Sequence, residues 1–129
     1  MPALEVDNVF KIATAHTRVR EFLADGGWEP QGRDAEMEMD SFRNKKTGNL
    51  LCIEDISEDF PVTFLMGELS LEEFRKMASG LVPGVGLLEV DSSWEGKPTT
   101  IVVAMTENQV RDMFGKRARM RPVPLHHTS

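Results

Sequence analysis

Two strand-to-helix joints limit what this chain can fold into. In Leu69-Ser70-Leu71-Glu72-Glu73-Phe74, Ser70 is placed to cap a helix and Glu73 can reach back to the cap's own N–H. Leu69, just before the cap, can pack on Phe74 as a hydrophobic staple. The pattern returns at Met105-Thr106-Glu107-Asn108-Gln109-Val110, with residue 106 standing 36 positions after residue 70. Each cap follows an apolar or β-branched run, so the chain alternates strands with short amphipathic helices.

The rest of the chain is read around these joints. Val9, Ile12, His16, Val19 and Leu23 recur at helical spacing, and Asp7 or Asn8 can cap, so a first helix is expected from Asp7 to Asp25. Gly26-Gly27 closes it, with Trp28 folding back on its last turn. Residues 29–35 read as loop. Glu36 to Phe42, Leu50 to Ile56, Val62 to Leu69, Leu88 to Trp94 and Thr99 to Met105 read as five strands. The second helix is expected from Ser70 to Ser79, stopped by Gly80. The third starts at Thr106 and either stops at Gly115 or runs on to Arg119. The order is then α-β-β-β-α-β-β-α, an α+β fold. Short connections imply a five-stranded antiparallel sheet with three helices mainly on one face. The two strand–strand–helix units are either an internal duplication or two capped helices that look alike.

At 129 residues the chain is expected to form one domain over residues 1–121, followed by a flexible tail over 122–129. The single Cys52 excludes an internal disulfide, and its neighbours Leu50, Leu51 and Ile53 favour a buried thiol. With no apolar run of membrane-spanning length and no signal-like start, a cytoplasmic protein is expected. A formal net charge of −6 argues against nucleic-acid and anionic-membrane binding. Lys116, Arg117, Arg119 and Arg121 lie together without an acid among them, so the rest of the chain is more acidic than the total suggests.

Glu36, Glu38 and Asp40 lie on one face of an expected strand, about 7 Å apart by the strand rise. Glu54, Asp55, Glu58 and Asp59 surround a turn, and the two sets together can make a negative surface. The competing reading is a solvated strand face. His16 stands in the middle of an apolar stripe, as a satisfied core histidine or as a pocket or interface residue. Cys52 and His16 make a catalytic pair only if the fold brings them together. Gly84-Val85-Gly86 follows a helix and precedes a strand, the reverse of a phosphate-cradling loop. His126-His127 supplies two ligands, too few for a metal site. No cofactor and no metal are expected.

These features describe a small acidic protein-interaction module without catalytic activity. It would bind and mask a basic partner protein, as an immunity protein, an inhibitor or a bacterial secretion chaperone does, and would be a monomer or homodimer. The alternative is a small-ligand binder or enzyme with a pocket between the N-terminal helix and the sheet. The expected element order and the acidity resemble those of the dimeric chaperones of type III secretion systems. That resemblance implies an apolar helix face for dimer contact and exposed apolar strand surface for an extended client segment.

Overall fold

Residues Asn8–Ile12 form a strand where a helix is expected, and this strand lies inside the sheet. The computed structural model describes residues 8–34, 39–57, 61–94 and 96–123. In chain order the elements are β1 (Asn8–Ile12), α1 (His16–Asp25), β2 (Trp28–Asp34), β3 (Met39–Asn44), β4 (Leu50–Ser57) and β5 (Pro61–Gly67). There follow α2 (Leu71–Leu81), β6 (Leu87–Trp94), β7 (Lys97–Ala104), α3 (Glu107–Phe114) and β8 (Met120–Pro122). The eight strands form one mixed sheet in the order β2-β3-β4-β5-β1-β7-β6-β8. The α+β class and the three helices hold, while the five-stranded antiparallel sheet and the α-β-β-β-α-β-β-α order do not. The element order shared with the secretion chaperones falls with it.

The error at β1 has a clear origin. The expected helical stripe mixed the two faces of a strand. Phe10 and Ile12 belong to the core beneath α1 and α2, whereas Val9 packs into the second core beneath α3. Residues Ala13–Ala15 turn the chain, and helix begins only at His16. β1 pairs antiparallel with β5, Phe10 opposite Leu65, and parallel with β7, Phe10 opposite Val102. It therefore joins a block of β2 to β5 with a block of β6 to β8. β2 was hidden by Pro30 and Gly32, residues tolerated on an edge strand, where the register shifts between them.

The sheet carries helices on both faces. α1 and α2 cover one core, with Val19, Leu23, Phe74 and Met77 against Phe10, Leu51 and Leu65. The Phe10 and Phe74 rings stack at 4.4 Å. α3 lies on the opposite face, with Val110 against Val62, Ile101 and Val103. Both capping boxes form: Glu73 N–H donates to Ser70 Oγ at 3.1 Å and Gln109 N–H to Thr106 Oγ1 at 3.1 Å. The Glu73 and Gln109 side chains accept in return from the cap N–H groups at 2.9 Å. α3 stops at Phe114, with Gly115 at φ +106°. α2, however, runs through Gly80, where the Phe22 ring of α1 approaches so closely that an added Cβ would meet it at 2.8 Å.

The two strand–strand–helix units cannot be superposed. β5 and β7 flank β1 and run antiparallel to each other, since β1 is antiparallel to the first and parallel to the second. Their hairpin partners β4 and β6 lie outward on opposite sides, and α2 and α3 lie on opposite faces. Reversing strand direction, side and face together inverts the hand of the unit. The similarity 36 positions apart thus belongs to the cap and staple residues, not to two rotated copies.

β8 and Val123 also revise the expected tail. Val123 is buried against the first core, and its N–H donates to Leu87 O at 3.0 Å. Packing therefore continues through residue 123, inside the segment expected to be loose. Among the described residues no helix is long and apolar enough to cross a membrane.

Gly67 tests the β4–β5 contact. It sits at φ +146°, and a Cβ there would lie 2.6 Å from Leu50 O. Gly67→Ala is expected to lower unfolding free energy by more than about 2 kcal/mol. Gly86→Ala, where nothing lies within 4 Å of the added Cβ, should change it by less than about 0.5 kcal/mol. Urea unfolding of both variants measures this.

Candidate functional site

The structure brings together two of the residues singled out from the sequence. His16 opens α1, and its Nε2 lies 2.9 Å from Asp40 Oδ2 on β3. The two side chains are 14% and 15% exposed. A carboxylate can only accept, so Nε2 carries the proton in this contact. α1 has neither a side-chain N-cap bond nor an acid in its first turn. Asp40 thus brings a carboxylate from another element to a helix start that lacks one, where negative charge is favourable. The pair fastens α1 to β3.

The other expected site residues separate. Asp40 is opposite Ile53 in the β3–β4 ladder, whereas Glu54 is opposite Met39 and, on β5, Phe64. Since neighbouring strand residues alternate, Asp40 and Glu54 point to opposite faces of the sheet. Of the two acidic sets, these are the two members whose side chains are described. Glu36, Glu38, Glu58 and Asp59 lie outside the described residues, as do His126 and His127, and Asp55 is placed only by its backbone in β4, opposite Thr63. Cys52 shares the Glu54 face, is half-buried and lies 3.7 Å from Ser41 Oγ. It therefore cannot meet His16, and the Cys–His pair is not formed. Of the basic cluster, Arg121 reaches Glu89 at 2.9 Å and Asp91 at 3.2 Å. Its hydrogen bond to Asp91, then that to Glu89, raises its pKa above the ordinary arginine value. Among the described residues no three His, Cys, Asp or Glu side chains are grouped to hold a metal ion.

A cleft that sequence reasoning missed lies where α1 ends. α1 is closed by Gly26 and by Gly27 at φ +92°, which turn the chain into β2. The Gly27 carbonyl accepts from Lys45 N–H at 3.0 Å, pinning this corner to the β3–β4 turn. The turn is held by Asn44, whose Oδ1 accepts from Lys46 N–H at 2.8 Å and Thr47 N–H at 3.2 Å. α2 forms the third wall. The cleft, open on one side, has a volume of about 550 Å³, within the range of small-molecule sites.

Its floor is apolar: Leu23, Leu69 and Met77 are fully buried, Trp28 is 7% exposed, and Phe22 is half-buried. Its rim carries Lys45, Lys46 and Lys76, all exposed and none in an ion pair among the described residues. Glu73 is the one acid in the wall, and its Oε1 already accepts from Ser70 N–H. No hydrogen bond holds the Trp28 indole N–H among the described residues, yet no buried side-chain nitrogen or oxygen lacks a partner. The N–H therefore reaches the molecular surface, in a residue that lines the cleft. Two smaller hollows of about 360 Å³, one beside α1 at Arg20 and Pro30 and one between α2 and Val123, show no comparable concentration of one charge.

The sequence held parts of this cleft. Gly26-Gly27-Trp28 was visible as a helix end and Lys45-Lys46 as a turn. The missing link is the β2–β3 ladder, which sets Trp28 opposite Asn44. No protein-family model matches the chain, and no curated protein or solved structure does.

The His16–Asp40 contact is tested by a double-mutant cycle. His16→Ala and Asp40→Ala should each destabilise the fold, with a coupling of about 0.5–1 kcal/mol in denaturant unfolding. A coupling of zero would mean that the contact does not hold α1 in place.

Proposed function

We propose that the protein is a small-ligand-binding module whose working surface is the cleft between the end of α1, the β3–β4 turn and α2. One observation carries this reading: three lysines without ion-pair partners among the described residues surround an apolar floor in a chain of net charge −6. Exposed lysines scattered over a surface need no explanation, but three that line one concave apolar site can supply an orienting charge beside a place for an apolar body. The cleft departs from the expected pocket between the first helix and the sheet, since the β3–β4 turn and α2 wall it together with the end of α1. Nothing in it resembles an activated nucleophile or an acid/base pair, so binding is the activity proposed.

A second reading retains a masking role toward a basic partner protein. It is favoured by Glu54, which shares with Leu50, 44% exposed, the sheet face opposite α1 and α2. On this reading the partner covers strands β3 and β4, and Asp40, already bonded to His16, takes no part.

Amide chemical-shift mapping separates the two. With a mixture of small aromatic and aliphatic fragments, the largest changes are expected at residues 22–28, 44–46 and 73–77. Changes confined to residues 50–54, with the cleft unmoved, would contradict the ligand-binding reading and favour the partner face.

A further inference from the structure

We propose that the cleft takes a small aromatic phosphomonoester, its ring on the apolar floor and its phosphate among the lysines. This rests on the cleft being the working surface and adds the chemistry of what fills it.

Charge is the first argument. The rim offers three ammonium groups, Lys45, Lys46 and Lys76, against the single carboxylate of Glu73. A phosphomonoester carries a charge of about −2 near neutral pH, which balances that excess; a carboxylate carries half as much. Geometry is the second. Lysine is a compact point charge on a flexible stem, without the planar fork by which arginine grips a carboxylate in two places. Three such charges, two carried by a turn and one by a helix that line the same cleft, suit a tetrahedral group whose oxygens point in several directions.

The floor argues for a flat ring. Trp28 and Phe22 present aromatic surface, and Met77 a polarisable thioether that packs well against aromatic groups. Trp28 also carries an indole N–H without a partner among the described residues. A volume of about 550 Å³ accommodates a bicyclic ring with one phosphate. Several acceptors of the wall are already engaged: Gly27 O by Lys45 N–H, Asn44 Oδ1 by the turn amides and Glu73 Oε1 by Ser70 N–H. The positively charged groups left for a ligand are the lysines.

The test uses the full chain with three probes of one ring: 1-naphthyl phosphate, 1-naphthoate and 1-naphthol. Calorimetry gives affinity, and the Trp28 indole N–H resonance reports occupancy of the cleft. The phosphate should bind saturably and shift that resonance, at least about tenfold tighter than naphthol and several-fold tighter than naphthoate. Raising salt should weaken the phosphate and leave naphthol little changed. The triple variant K45Q/K46Q/K76Q alters only exposed side chains. It should lose at least about tenfold affinity for the phosphate while keeping its affinity for naphthol. Naphthol binding as tightly as the phosphate, or an unaffected triple variant, would overturn the anion preference while leaving the cleft a binding surface. Naphthoate matching the phosphate would overturn the choice of phosphate. A Trp28 resonance unmoved by all three probes, with the fragment mapping still centred on the cleft, would overturn the ligand class alone.

Discussion

The ladder on both sides of β1 joins the molecule. Five residues pair with β5 in one direction and three of them with β7 in the other, and the two antiparallel blocks meet nowhere else in the sheet order. Three of these residues feed the two cores, Phe10 and Ile12 on one face and Val9 on the other. Phe10 and Ile12, nearly or fully buried, anchor the α1–α2 side, and each contributes about 2–3 kcal/mol by burial. Lys11 faces the other way, its ammonium 4.7 Å from the Phe114 ring centre, 5.9 Å from that of Phe64 and 3.8 Å from Met113 Sδ. A charged group in the middle of a sheet is tolerated there because aromatic faces attract its charge while its stem packs along the strand.

From β1 the placement of everything else follows by short steps. The chain leaves β1 through Thr14, whose carbonyl accepts from the buried Thr63 hydroxyl at 3.0 Å, so the start of α1 is tied to β5. The His16–Asp40 pair ties it again to β3. α1 then ends where the β3–β4 turn can bond its closing glycine. The cleft is thus a consequence of how α1 is fixed at both ends, and its lysines come from a turn and a helix that tertiary contacts hold in place. A cleft fixed in this way has its walls set before any ligand arrives, which would reduce the ordering cost of the proposed binding.

What the sequence revealed was local. Both capping boxes were legible because cap, staple and acid or amide lie within six residues, and five strands were legible as apolar or β-branched runs between turns, two of them by alternation. β1 was not, because a strand buried on both faces has no alternation and its residues fell in phase with the helix that follows; Phe10, lying off the supposed stripe, was the available warning. β2 was concealed by Pro30 and Gly32, and β8 by being three residues long. The opposite hands of the two units depend on strand order, which no local pattern records. At the site, His16 and Asp40 were each noticed and their meeting was not, and the cleft escaped because residues 22–28, 44–46 and 69–77 converge only through the β2–β3 pairing and the packing of α1 on α2.

The central claim is that residues 8–12 are a strand paired on both sides, and amide hydrogen exchange tests it directly. Phe10, Lys11 and Ile12 should be among the slowest amides in the chain, exchanging only with global unfolding, and the β5 and β7 amides should open with them. Fast exchange at these three residues, with the β2–β5 and β6–β8 blocks opening at separate free energies, would contradict the account.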